Sequence, residues 1–518
     1  MLTILGLSIN VRSLLACAAV YLFFYVVFSL TALAKKDAAI RKLGGHRAQV
    51  LWRNPILGFY HTTNLIRKSA QFKIVDVYDT AFGKLRPESR NIFEIGTPLS
   101  SRVVETREPS HVKAVLAEDF HSFGKGEMFH RIWSPWLGDG IFTTDGELWS
   151  KSRKLIRPMF ATDRMSDLYI FERQVEKMMT HIPPSGQSVD MKDLFFRMTL
   201  DVTTDFLLGE SSNSLDNPKG EFTHAFNDIL SKQMYIMVLR NLWPLDRFFM
   251  PAYHRHIKTI DDFINPYIKQ ALSIPPEELE KITKSDTEFT FLHNLALFTR
   301  DPKVIRDQLM AVLLAGRDTT AATLSWAFYE LAACPEKVER LRAEVLEHIG
   351  VGGTPTYETL KNMKYLRYVL QETLRLHPAV PFNIRVALKD TVLPEAPGSP
   401  SISICKGDTL CYSPFNIQGR RDIYPPVSAN FADPSKFSPE RWYVWQPRPW
   451  EYVPFNGGPR ICPGQNFALT EMAYCIVRIF QKYDRMEYGG DWYAQKDKMD
   501  VISRPAFAVP ISFFEAKN

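Results

Sequence analysis

Cys462 lies in the run Phe455-Asn456-Gly457-Gly458-Pro459-Arg460-Ile461-Cys462-Pro463-Gly464, and an apolar, helix-compatible stretch begins at Gln465. A lone thiol held by a Gly/Pro-rich loop ahead of a helix is placed to ionise, because the helix dipole and its unpaired N–H groups favour an anion. Turn-forming glycines let the backbone come close to a flat group. Together these features suit a thiolate acting as axial ligand to a haem iron. A free cysteine is more often a buried structural residue, but here the neighbours of the cysteine are specified as well.

A second constellation, Ala315-Gly316-Arg317-Asp318-Thr319-Thr320, falls inside a helical pattern running from about Pro302 to Ala333. Glycine within a helix costs about 1 kcal/mol against alanine, so Gly316 asks for a reason, and close approach of a cofactor is one. A threonine hydroxyl that bends the helix would open a groove beside it. Asp318 and Thr319 would then place a carboxylate and a hydroxyl at that groove, able to move protons. The plain alternative is an exposed Asp beside two threonines of low helix propensity. A third group, Glu372-Thr373-Leu374-Arg375, spaces two opposite charges three apart on one helical face. Arg441, in Pro439-Glu440-Arg441-Trp442, supplies a second guanidinium downstream. Finally, Trp149 and Arg153 stand four apart on a helical segment from Glu147 to Ile156, so both donors share one face.

The elements that must position these residues are mostly helical. Short β-like runs at Ile92–Ile95, Ser101–Val104 and Thr409–Tyr412 sit between longer helical patterns. The sequence therefore predicts a mainly α protein with small peripheral sheets. From residue 56 to 518 there is no repeat, low-complexity stretch or shift of composition, which reads as one catalytic domain. Before it, residues 35–55 read as a basic, Pro-containing linker leading into Trp52–Gly58, where Pro55 and Gly58 break any helix. Residues 1–34 read as an N-terminal membrane anchor. The stretch from Ser13 to Ala34 carries no charge, and as a helix it would reach about 33 Å, enough to cross a bilayer core. Lys35, Lys36, Arg41, Lys42 and Arg47 follow it, which places the rest of the chain in the cytosol.

Composition narrows the classes. Hydrophobic content of 45% and charged content of 23% are those of a globular protein with a large core. None of the six cysteines forms a CxxC pair, so the sequence encodes neither a zinc knuckle nor a dithiol redox site. A net charge of +6, partly beside the anchor, suits anionic lipid or an acidic partner, and no nucleic-acid signature is present. There is no GxGxxG followed by an acidic residue, hence no nicotinamide or flavin domain, and electrons must come from a separate donor.

The decapeptide around Cys462 resembles the haem-binding loop of the cytochromes P450, F-x-x-G-x-R-x-C-x-G, at every defined position. The second constellation resembles that family's oxygen-activation motif, A-G-x-[DE]-T-[ST], and the ExxR and W-x-x-x-R patterns match in the right order. This resemblance covers essentially the whole chain. It implies the cytochrome P450 fold behind a transmembrane helix, with haem b held by Cys462 and cradled by Trp149, Arg153, Arg385, Phe455 and Arg460. It implies catalytic roles for Asp318 and Thr319 in proton delivery, and a buried structural network of Glu372, Arg375 and Arg441. Dioxygen and NADPH-derived electrons would be co-substrates, the electrons arriving through NADPH–cytochrome P450 reductase on a basic surface near the thiolate. A lipophilic substrate entering from the membrane lipid would meet a pocket including Leu314, Ala315, Val380 and Phe382, near a C-terminal turn at Pro505–Phe507. The endoplasmic reticulum is the membrane implied.

Within the family, Arg317, the Phe123–Gly126 segment and Phe382-Asn383-Ile384-Arg385 look like the fungal alkane and fatty-acid ω-hydroxylases. The first reading is therefore hydroxylation near the end of an alkyl or fatty-acyl chain. Relatives often carry His-Arg where this chain has Gln418-Gly419, which keeps open tailoring of a polyketide, terpenoid or peptide-borne acyl chain in secondary metabolism. A haem protein that binds without turnover is the alternative of another class. The presence of both Asp318 and Thr319 argues against it.

Overall fold

The computed structural model describes residues 2–4, 7–9, 11–51, 55–96, 102–160, 165–238, 251–282 and 290–516. Helices dominate, with small sheets between them, as the sequence predicts. The chain divides into two compact units: unit 1 takes Met1–Gly124 and Ile384–Tyr412, and unit 2 takes Lys125–Asn383 and Ser413–Asn518. Each unit draws on two stretches far apart in the chain, so neither boundary leaves a mark in local composition.

Unit 1 is built on a six-stranded sheet. Its strands are β1 (Gln49–Leu51), β2 (Ile92–Gly96), β3 (Arg102–Thr106), β4 (Phe123–Gly124), β5 (Asn383–Ala387) and β6 (Thr409–Tyr412), in the order β1-β2-β3-β6-β5-β4. β1 runs parallel to β2, β2 antiparallel to β3, and β3 parallel to β6. Ile92, Val104, Phe123, Ala387 and Leu410 from five of these strands form its apolar core with Ile402 and Ile404.

Two helices of unit 1 lie at the boundaries read from sequence. Helix α1 (Val11–Lys42) continues past residue 34, and residues 35–55 contribute strand β1. Helix α2 (Pro55–Ala70) starts on Pro55 and contains Gly58. Proline at the first helical position lacks only an N–H that would be unpaired there anyway, so it begins this helix instead of breaking it. Among the described residues no helix is long and apolar enough to cross a membrane. Part of the anchor stretch falls outside them, including the side chains of residues 13–15, 17, 18, 22, 25, 29, 32 and 33.

Unit 2 holds the helices that carry the chemistry: α3 (Gly126–Leu137), α4 (Gly146–Ile156), α5 (Met165–Thr180), α6 (Met191–Leu208), α7 (Pro302–Ala332), α8 (Lys364–Leu376) and α9 (Gln465–Lys482). α7 is the spine. Asp301 caps it by accepting from Lys303 N at 2.8 Å, Pro302 occupies its first position, and it runs 31 residues. α6 packs along it, and α5, α8 and α9 join one apolar core with its distal half. Gly138, after α3, has φ +59, and a Cβ there would lie 1.8 Å from Oδ1 of buried Asp307 on α7. That carboxylate accepts from Asp139 N at 2.8 Å and pairs with Lys303 Nζ at 2.9 Å, so it cannot retreat. Gly138→Ala is therefore expected to destabilise the protein by about 2–4 kcal/mol, from overpacking plus left-handed strain, seen as a lower thermal-unfolding midpoint.

Candidate active site

The loop before α9 is shaped by backbone conformations that few side chains allow. Asn456 and Gly458 both adopt positive φ, at 64° and 60°. At Gly457 a Cβ would come within 2.4 Å of the Trp450 ring. Cys462 N donates to Phe455 O at 2.9 Å, which closes the loop on itself and presents a partly exposed thiol two residues before Gly464. Burial pushes the Cys462 thiol up, while the Gly464 N–H and the Arg153 charge pull it down. The backbone donor thus acts in the direction read from sequence. Desolvation by the surrounding protein outweighs it.

Cationic and N–H donors gather around this loop. Arg153, on α4, donates from Nη1 to Ile461 O at 2.9 Å. Arg460 places its guanidinium 4.7 Å from the centre of the Trp149 ring and pairs with Asp145 Oδ1 at 2.7 Å. The structure therefore brings Trp149, Arg153, Arg460 and Phe455 together with Cys462. Asp145, which sequence reasoning missed, also accepts from Lys125 N and Gly126 N, both at 2.8 Å. The signal was an acidic residue at the position immediately before α4. Arg385 belongs to unit 1, where it is buried on β5, 6.0 Å from the Tyr412 ring centre and bonded to Ile384 O.

α7 supplies the other face of the chemistry. From Asp307 to Leu331 every residue is buried except Ala315, Gly316 and Thr319. Those three lie on one side of the helix, so accessible surface reaches its middle along a single short stripe. Leu314 borders it at 9% exposure. Thr319 Oγ1 donates to Ala315 O at 2.8 Å, the threonine back-bond read from the sequence, and α7 continues through it.

Asp318 does not sit on this stripe. It is fully buried, one residue and about 100° away, with Oδ1 3.2 Å from Arg317 Nη1 and Oδ2 without a hydrogen-bond partner. Burial pushes its carboxyl up, against the Arg317 and Arg504 charges. Arg317 in turn lies between the Phe196 and Phe226 rings, 5.4 and 5.0 Å from their centres. Gly316 also answers to a different cause from the one read in sequence. A Cβ there would lie 2.8 Å from Thr203 Oγ1 on α6, so the glycine permits two helices to meet. Val380 and Phe382 stand partly exposed in the segment after α8.

Glu372, Arg375 and Arg441 form the buried network that the resemblance implies. Glu372 accepts from Arg375 Nε at 2.8 Å, Arg441 Nε at 2.9 Å, Ser438 N at 2.9 Å and Trp442 Nε1 at 3.0 Å. Arg441 spends its remaining donors on Ala432, Asp433 and Lys436 carbonyls. Gln418, which in sequence stood out only as a departure from relatives, is fully buried and joins this network to the cysteine loop. Its Nε2 caps the last carbonyls of α8 at Leu374 and Arg375, at 3.0 and 2.9 Å. Its Oε1 accepts from Val453 N at 3.1 Å, two residues before Phe455. One amide thus satisfies three buried backbone groups, which no local pattern discloses.

These residues fit a haem. A soft sulfur ligand in a glycine-lined loop, indole and guanidinium donors for carboxylate side arms, and an accessible stripe on a buried helix make the required donor set. The comparisons agree. The family described as Cytochrome P450 matches residues 76–505. Cytochrome P450 monooxygenase pvhE of Talaromyces variabilis is 41% identical over 95% of this chain and 94% of its own. Cytochrome P450 52A13 of Debaryomyces hansenii is 37% identical over 82% and 83%, and cytochrome P450 52A1 of Candida tropicalis 40% over 76% and 74%. A crystal structure of the haem domain of a cytochrome P450DA mutant shares the fold, with TM-score 0.68 at 22% identity, covering 86% of this chain and 93% of that one.

Two outcomes are expected. Glu372→Ala would leave two buried guanidinium groups without their carboxylate, costing about 3–5 kcal/mol, read as a lower unfolding midpoint and a smaller haem-loaded fraction. His377, at the end of α8, lies 2.9 Å from Glu330 and 3.6 Å from Asp497 and stacks on Trp326. Burial works against its cation, but the two carboxylates outweigh burial and push it up from 6.5 to about 9. Because the folded value is raised, this cluster's contribution is whole below pH 6.5 and is lost as pH rises through about 9. The melting-point gap between wild type and His377→Gln should therefore be widest in mild acid and close in alkali.

Proposed function

The chain belongs to the cytochrome P450 family and is a haem-thiolate monooxygenase, and from that premise we propose that it oxidises an alkyl or acyl chain carried by a polyketide, terpenoid or peptide in secondary metabolism. The single observation that carries the site is the accessible stripe on α7, where Ala315, Gly316 and Thr319 interrupt an otherwise buried helix. Its borders are apolar and small, which suits a slender hydrocarbon segment. The choice of a tailored metabolite over a free fatty acid leans on coverage. A monooxygenase named outside the 52 series spans 95% of this chain, against 82% and 76% for the two 52-series relatives. The Gln418-Gly419 departure points the same way. ω-Hydroxylation of a free fatty acid or alkane is the second reading, favoured by Arg317 and the 52-series identities of 37% and 40%.

Haem, ligated by Cys462, supplies oxygen activation and C–H oxidation. The chain's own residues bind, orient and move protons around it. Arg153, Arg460 and Trp149 are the donors proposed for its carboxylates, with Phe455 bracing the loop. Leu314, Ala315, Val380 and Phe382 hold the hydrocarbon and exclude water. Thr319 Oγ1, on the accessible stripe, passes a proton at the reacting face. Asp318, whose carboxyl burial pushes up, is the store behind it and delivers by turning away from Arg317. NADPH–cytochrome P450 reductase is the proposed electron donor, docking on the basic surface beside Arg153. The proposed setting is the endoplasmic reticulum, with residues 1–34 anchoring a cytosolic catalytic chain.

Membranes holding the chain, reductase and NADPH, offered free fatty acids and acyl-bearing metabolites in parallel, should add oxygen to the metabolites, located by mass spectrometry. Product from free fatty acids alone would move the assignment to the second reading. An intact reduced carbon-monoxide spectrum with no NADPH-dependent product from either panel would favour the non-catalytic alternative. Thr319→Ala should keep that spectrum and lower product formed per NADPH about tenfold or more, while Cys462→Ser should abolish both.

A further inference from the structure

Among the five basic residues that follow the anchor stretch, the structure separates two kinds. Lys35, Arg41 and Lys42 are exposed. Lys36 and Arg47 are instead spent on a ladder of charges that fastens the end of α1 to the sheet of unit 1. Lys36 Nζ lies 2.8 Å from Asp408 Oδ1, and Arg102 Nη1 lies 2.9 Å from Asp408 Oδ2. Arg102 Nε reaches Glu94 Oε2 at 2.7 Å, Arg47 also pairs with Glu94, and Arg47 closes the ladder on Asp37 of α1. Asp408, Glu94 and Arg102 are nearly fully buried, so these pairs are poorly screened.

Backbone bonds secure the same junction. His46 N donates to Ser401 O at 2.8 Å, and Ser403 N donates back to His46 O at 2.9 Å. Gly45 presses so close that a Cβ there would lie 2.5 Å from Ser403 Oγ. Ile40, in the last turns of α1, is buried at 3% exposure. About three to five and a half turns earlier the same helix exposes Val20, Tyr21, Phe23, Phe24, Phe28 and Leu30, each at 55% or more. An aromatic and aliphatic surface of that size followed by exposed cations matches a bilayer with anionic headgroups, the cations meeting phosphate level.

We propose that α1 and unit 1 form one rigid membrane-docking element, in which the Lys36–Asp408–Arg102–Glu94–Arg47–Asp37 ladder fixes the angle of the anchor helix to the sheet, and Lys35, Arg41 and Lys42 form the collar that meets anionic lipid. This rests on the anchoring role proposed for residues 1–34. It replaces a pliable joint with a fixed one, so unit 1 meets the bilayer in a single orientation. A flexible tether would instead sample many end-to-end distances.

The test uses the full-length protein with vesicles of phosphatidylcholine containing phosphatidylserine. Spin labels carried on non-natural amino acids at positions 24 and 113 report the distance between α1 and the body of unit 1. The variant Lys36→Met/Asp37→Asn cuts the ladder from the helix side and leaves Arg102, Glu94 and Asp408 paired with one another. Wild type should give one narrow distance distribution and the variant a distribution roughly twice as wide, with the carbon-monoxide spectrum unchanged in both. Equal widths in the two proteins would overturn the clamp. Flotation of both proteins with the vesicles, weakened by salt, is the separate check on anchoring. Failure of both to float, or self-association in place of vesicle binding, would overturn the membrane reading itself.

Discussion

A buried carboxylate with no water to turn to organises the catalytic unit. Glu372 is fully enclosed, and it is tolerable there only because Arg375, Arg441, Ser438 and Trp442 converge on its two oxygens. The cost of stripping water from three charges is offset only when every donor is in place. Arg441 is held by carbonyls 432, 433 and 436, which fixes the meander that contains them. Gln418 then carries the order onward, from the end of α8 to Val453 and so to the loop that presents Cys462. The position of the sulfur follows from a chain of satisfied polar groups that begins at this one glutamate.

The second constraint is the near-complete burial of α7. A 31-residue helix packed on every side offers no room for chemistry unless something interrupts the packing. Ala315 and Gly316 interrupt it by being small, and Thr319 by spending its hydroxyl on its own helix. The arrangement divides two functions that adjoin in sequence. Thr319 stands at the accessible stripe, while Asp318 is turned into the protein against Arg317, where burial raises its carboxyl and keeps one oxygen without a partner. The two side chains proposed to move protons are thus one residue apart along the chain and about 100° apart around the helix.

Much of this was legible in the sequence because the chemistry is written in short, local signals. The Cys462 loop declares its glycines, its arginine and the helix that follows. The ends of α7 and α8 follow from Asp301-Pro302 and from His377-Pro378. Two local inferences were incomplete for a physical reason. Pro55 reads as a breaker but starts a helix, since a proline's effect depends on whether it falls at the first turn or inside. Gly316 reads as room for a cofactor, yet it is also required by Thr203 of α6, 113 positions earlier in the chain, which a Cβ would meet. The role of Gln418, and half of that of Asp145, escaped notice because backbone groups are their partners there, and these have no side-chain identity to read.

What the sequence by itself determined was the donor set: the thiol, the guanidinium and indole groups, the carboxylate–arginine triad and the helical periods that carry them. Residue type and spacing within a turn or two suffice for that. Only the tertiary structure decided which way those groups face and what they spend their bonds on. Lys36 and Lys35 are neighbours of equal charge, yet one pairs with buried Asp408 and the other meets solvent. Asp318 and Thr319 are neighbours in one motif, yet only the threonine reaches the accessible stripe. Such choices depend on surfaces contributed by segments hundreds of residues away, and on whether a polar group, once buried, finds every partner it needs.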